Sequence, residues 1–156
     1  MADGLEKLAE YFDGMLEDIS PARRRVVARK VGQRLRRSNL KRQASNEEPD
    51  GGRMEPRRKH TELRGDRSRS GKKMFRKLRY ARFWKIRPSA EGVTVQPSRG
   101  ASRIAGEHHF GLEGYVGRTR DRRTIRHRYT ARRLLGFGPS DLDEIADEML
   151  GMLDRD

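Results

Sequence analysis

Val27, Val31 and Leu35 stand four residues apart in a stretch where Arg23, Arg24, Arg25, Arg29, Lys30, Arg34, Arg36 and Arg37 fill most other positions. Ser20 and Pro21 come just before. A serine hydroxyl can accept from the free N–H groups of a first helical turn, and proline there gives up only an N–H that had no partner. The spacing predicts a helix from Pro21 with one narrow apolar stripe. Such a helix covers a thin core, so other segments must supply the rest. With 33% hydrophobic and 38% charged residues, those segments have to be few and well patterned. The 156 residues suit one domain spanning 1–156 and not two.

Other segments can be placed by the same periodicities. Leu5, Leu8, Ala9, Phe12, Met15, Leu16 and Ile19 share a helical face opposite a row of acids. The run from Ala44 to Gly71 is Gly, Pro, Ser and charge with almost no apolar residue; it is expected to be a mobile basic loop with a turn at Pro49-Asp50-Gly51. Beyond it, Met74, Phe75, Leu78 and Ala81 suit a helical face, giving way after about Arg82 to a strand through Trp84 and Ile86. Val93-Thr94-Val95 can pair with that strand across Pro88–Gly92. Arg103 to Phe110 suits a helical turn closed by Gly111, and Thr124 to Tyr129 alternates like a strand. Pro139 and Ser140 open a last helix, with Leu142, Ile145, Ala146, Met149, Leu150 and Leu153 on one face. The class is therefore α+β: amphipathic N-terminal helices, a small mainly antiparallel sheet, a C-terminal helix and a long basic loop.

Net charge is +14 and unevenly spread. The segments 1–18 and 139–156 carry net −5 and −6, while 53–87 alone carries +12. Two acidic ends around a basic middle point to an anionic or acidic partner. There is no cysteine, hence no disulfide, thiolate metal site or cysteine nucleophile. The N-terminus lacks the pattern of a secretory signal, and no apolar run suits a membrane span.

Catalysis is not indicated. The acids lie mostly on the polar faces of the terminal helices, and no nucleophile elbow, phosphate-binding glycine loop or carboxylate cluster occurs. His108 and His109 lack companions for a tetrahedral metal set; one is expected to pack inside and the other to face out. No cofactor or metal is expected. Phe75, Tyr80, Phe83 and Trp84 interleave with Arg76, Lys77, Arg79, Arg82 and Lys85, which suits either single-strand stacking or a core beside a solvated basic face. With Arg23, Arg24, Arg25, Arg29, Lys72 and Lys73, the residues Arg76, Lys77, Arg79 and Arg82 form the candidate basic interface, facing DNA or an acidic protein.

Three stretches resemble the phage virion morphogenesis family, the tail-completion proteins of contractile-tailed temperate phages. KKMFRKLRYARFWK (Lys72 to Lys85) follows the acidic helix, the arginine-rich helix and the Pro-Asp-Gly turn in that family's order. RIAGEHHFGL (Arg103 to Leu112) is similar to its Arg-Ile-Ala, histidine, aromatic-glycine signature, with His109 in place of glutamine. RYTARRLLGFGPSDLDEI (Arg128 to Ile145) is similar to its segment running into the last helix. The motif positions Met74, Phe75, Leu78, Ala81, Ile104, Ala105, His108, Phe110, Gly111, Ala131, Arg132, Leu134, Leu135, Gly136 and Phe137 read as packing and turn residues.

The resemblance implies a non-enzymatic subunit of a homo-oligomeric ring, hexameric, at the head-proximal end of the tail. Its partners would be tail tube, sheath or neck proteins, with non-specific contact to DNA passing through and no membrane. It would reside in the virion, and in the host cytoplasm during assembly. The competing reading from the residues is a nucleic-acid-binding protein that tracks phosphates with its arginine-rich middle.

Overall fold

The structure of the protein is a computed structural model that describes residues 14, 19–56, 74–118 and 121–153. The helix expected at Leu5–Ile19 falls almost wholly outside these residues.

Helix α1 runs from Pro21 to Ser45 and starts as expected: Ser20 Oγ accepts from the Arg23 N–H at 3.3 Å, with Pro21 in the first turn. It stops at Asn46, whose left-handed backbone returns its N–H to Arg42 and Gln43. Its buried residues are Val31, Gly32, Leu35, Asn39 and Gln43, so the stripe continues beyond Leu35 as two polar side chains. The Pro-Asp-Gly turn is present. Glu48 N–H donates to Gly52 at 2.7 Å, Glu47 bridges Arg53, and Met54 is buried. The part of the expected 44–71 loop that is described is thus helix end and ordered turn, because Pro49 and Met54 find buried positions; residues 57–71 lie outside the described residues.

The helix expected through Met74–Ala81 is not formed. Residues 74–79 make successive turns, followed by a short 3-10 turn at Ala81–Phe83. Phe75 adopts φ 52, and Met74 and Phe75, neighbours in sequence, are both buried. Trp84 Nε1 donates to the Leu78 carbonyl at 2.6 Å, taking the acceptor that a continuing helix would have used. Ala81 ends up exposed.

Strand β1 (Trp84–Pro88) pairs antiparallel with β2 (Val93–Pro97), Trp84 opposite Pro97 and Pro88 opposite Val93. This hairpin lies on α1 at Gly32, where a Cβ would sit 2.6 Å from side-chain atoms of Ile86 and Val93. Helix α2 (Ser102–Phe110) ends at Gly111, φ 65, as expected. Strands β3 (Glu113–Arg118) and β4 (Thr124–Arg128) form a second antiparallel hairpin, with an irregularity between Tyr115 and Gly117. The single small sheet of the expectation is therefore two separate ribbons. Gly114 and Gly117 hid β3, since glycine carries no alternation signal.

Helix α3 (Pro139–Leu153) packs along α1, with Glu148 reaching both Lys30 (3.2 Å) and Arg34 (2.8 Å). Ile145 and Met149 are partly buried, but Leu142 and Leu150 are exposed, so the expected apolar face is only partly used. The core is Met54, Met74, Phe75, Leu78, Trp84, Ala101, Ala105 and Leu134, with Leu40, Phe83 and Leu135 against it. Burial of each large side chain there contributes roughly 1.5–3 kcal/mol.

Candidate functional site

From Ala131 to Gly138 the chain is a strap that belongs to no helix or sheet, yet its backbone is held almost residue by residue. Arg132 N–H donates to the His108 carbonyl at 2.7 Å and Leu134 N–H to His109 Nδ1 at 3.1 Å. Gln43 Nε2 donates to the Leu134 carbonyl at 2.8 Å, and Gly136 N–H to Asn39 Oδ1 at 3.0 Å. Arg42 Nη2 donates to the Gly136 carbonyl at 3.0 Å and to Asp141 Oδ2 at 2.8 Å. Side chains of α1 and α2 thus replace the neighbouring strand that this buried backbone lacks. Asn39 and Gln43 were not singled out from the sequence. Their signal was there: two amides continuing a buried stripe at four-residue spacing need partners.

Asp141 is 2% exposed. Burial raises its pKa, but hydrogen bonds from Arg42, Ser38 and the Gly138 N–H, with the Arg42 charge, hold it below the ordinary carboxylate value. Arg133 ties the strap to the Pro49 turn through Glu48 at 2.9 Å and through Asp50. Gly136 allows close approach to that turn: a Cβ would fall 2.6 Å from Pro49 Cγ.

Between α1, the β1–β2 hairpin, α2 and this strap lies an open groove of about 470 Å³. Its apolar wall includes Leu35, Val93, Val95, Leu134 and Leu135, and its rim carries Phe110 and Phe137, 69% and 61% exposed. Exposed aromatics beside a preformed apolar groove suit the docking of another apolar surface.

The motif residues separate into two sets. Met74, Phe75, Leu78, Ala105 and Leu134 are core, and Gly111 and Arg132 are buried. Gly111 combines its positive φ with a tight fit, a Cβ falling 2.9 Å from Ala131 N. Arg132 donates to the carbonyls of Glu55 (2.6 Å) and Pro56 (3.1 Å). Ile104, Phe110, Ala131 and Phe137 are exposed; Leu135 and Gly136 are half-buried.

Neither histidine faces out freely. His108 packs between Phe75 (5.0 Å) and Tyr129 (4.4 Å). Burial first, then the Arg133 charge, lowers the pKa of His109, with Glu48 opposing. That keeps the ring neutral, as an Nδ1 acceptor must be. Because the folded pKa lies below the unfolded one, stability is expected to fall as pH drops from about 7 towards 5. The loss should shrink in His109→Asn, as read from urea midpoints; equal acid sensitivity in both proteins would contradict it.

The described candidate basic residues are spread along α1. Arg23 and Arg24 are half-buried and Arg25 and Arg29 exposed at the start of α1. Arg79 donates to Asn46 Oδ1 at 3.3 Å, at the other end of the same helix. The 25 residues of α1 put Arg79 roughly 35 Å from Arg23, whereas the segment that carries Arg82 lies against the middle of α1, where Arg36 reaches the Trp84 carbonyl at 3.4 Å. Arg76 and Lys77 are exposed, and Arg82 lies over the Tyr80 and Phe83 rings at 5.3 and 5.1 Å. Trp84 and Phe75 are core, so they offer no stacking face. Lys72 and Lys73 lie outside the described residues. Among the described residues no three His, Asp or Glu side chains cluster as a metal site would require, and no helix is long and apolar enough to cross a membrane.

The geometry is that of a small α+β packing module with an apolar groove assembled where the second and third motif stretches meet. The chain belongs to the phage virion morphogenesis family, whose model matches residues 3–154. It is 34% identical over 151 residues to tail completion protein S of Escherichia phage P2, covering 96% of this chain and 97% of that protein. No solved structure matches significantly.

Proposed function

We propose that this chain is a non-enzymatic structural protein that completes the phage tail and joins it to the head, as a subunit of a homo-oligomeric ring at the head-proximal end of the tail. The observation that carries the reading is the end-to-end similarity to a tail completion protein. The groove supports it: Phe110 and Phe137 belong to the family-like stretches, yet they remain exposed and are not spent on the core. The groove would take an apolar segment of an adjoining tail, sheath or neck protein. The basic surface would face an acidic neighbour or the passing DNA. A dedicated nucleic-acid binder is less well supported, because Phe75 and Trp84, two of the four aromatic residues it would stack on, are buried in the core.

Electron microscopy of lysates from a phage lacking this gene tests the reading. DNA-filled heads and tails that fail to join are expected, with joining restored by the gene in trans. Abundant, normally joined infectious particles from the deletion would refute it.

A further inference from the structure

The β3–β4 hairpin and helix α3 expose complementary faces. Every residue of β4 is exposed. The pairing register sets Tyr115 opposite Arg126, Glu113 opposite Arg128 and Arg118 opposite Thr124, so Tyr115, Arg118, Arg126 and Arg128 share one face with a single acid, Glu113. The other face turns to the body at Gly114, where a Cβ would meet Glu107 and Tyr129. On the outer face, Tyr115 is 50% exposed. Its charges are almost unneutralised among the described residues: Arg126 approaches Glu113 only at 3.9 Å. A two-stranded ribbon carrying three like charges and little core is weakly stabilised by itself.

Helix α3 is its counterpart. Glu148 and Asp141 are spent on Lys30, Arg34 and Arg42 of α1. The outer side leaves Asp143, Asp147 and Leu150 (47% exposed) together, with Leu142 and Glu144 exposed on its two flanks. None of the three acids has an ion pair among the described residues.

We propose that the outer face of the β3–β4 hairpin of one copy docks on the exposed side of α3 of the next copy. Tyr115 would meet Leu150, and Arg118, Arg126 and Arg128 would meet Asp143 and Asp147, with Glu144 at the edge of the contact. The two surfaces differ, so the contact is head-to-tail, the kind that builds a ring when the rotation between copies closes. The proposal rests on the ring reading above and names the interface within it. A nucleic acid is the less favoured occupant, since it would leave the acidic-apolar side of α3 uncovered.

The experiment uses two charge-reversed full-length proteins. One carries Arg118→Glu, Arg126→Glu and Arg128→Glu; the other carries Asp143→Lys, Glu144→Lys and Asp147→Lys. All six positions are exposed, and circular dichroism checks the folding of each. By sedimentation velocity, each alone should self-associate about tenfold or more weakly than the unaltered protein. An equimolar mixture should recover assembly, because every hairpin in it then finds an α3 of opposite sign. Assembly of either variant alone at unaltered strength, or a mixture that stays dissociated, would overturn this interface while leaving the ring reading intact. Loss of DNA binding by the hairpin variant with unchanged self-association would assign the face to nucleic acid instead. An unaltered protein that stays monomeric at every concentration would remove both readings.

Discussion

Asp141→Ala is expected to lower the unfolding free energy by about 3–5 kcal/mol, because it leaves the Arg42 guanidinium largely buried without its carboxylate. The carboxylate accepts from Arg42 at 2.8 Å and from the Gly138 N–H at 2.7 Å. Arg42 in turn holds the Gly136 carbonyl and Ser38 Oγ. One substitution therefore loosens the start of α3, the strap and the last turns of α1 together. Chemical denaturation should show the loss, and Arg42→Ala with Asp141→Ala should cost much less than the sum of the two. The pH dependence has a fixed sign. Since the folded pKa lies below the ordinary value of 3.8, the stabilisation is complete above that value and disappears as pH falls through the folded pKa. The acid limb of the stability profile should flatten in Asp141→Ala. A loss under about 1 kcal/mol would show that the pair is no better than a surface contact.

Replacing both Phe110 and Phe137 by aspartate should leave the fold intact and abolish most of the protein's function. Both rings are exposed at the groove rim, so truncation removes little core. Exposed aromatic anchors of a docking site commonly contribute about 2 kcal/mol or more each, which for two corresponds to a partner affinity lower by about three orders of magnitude. In a complementation assay with the deletion phage, the yield of infectious particles should fall at least about a hundredfold. The unfolding midpoint should stay near that of the unaltered protein. Full complementation by the double variant would mean the groove is not a docking surface.

Much of the fold was legible locally. Ser20-Pro21 started α1 because capping acts within one turn, and Gly111 ended α2 because its left-handed backbone is a one-residue property. The first hairpin followed from alternation around a turn of Pro, Ser and Gly. Those signals lie between near neighbours in the chain. The stretch around Phe75 failed for the opposite reason: its helical periodicity was real, but Trp84 competed for the Leu78 carbonyl and the core took Met74 and Phe75 together.

The sequence alone determined the class, the ends of several helices, the first hairpin, the excess of positive charge and the stretches that identify the family. Each of these depends on composition or on residues close along the chain. Only the tertiary structure decided where the candidate site lies. Asn39 meets Gly136 and Gln43 meets Leu134 across 97 and 91 residues of chain, respectively, and the apolar groove exists only once α1, α2 and the strap have met. It also decided which arginines are already occupied, because Arg34 and Arg42 find their carboxylates on a helix more than a hundred residues and nearly a hundred residues away, respectively. Pairings over such separations leave no periodicity in the chain, since they are set by which surfaces bury each other's polar groups.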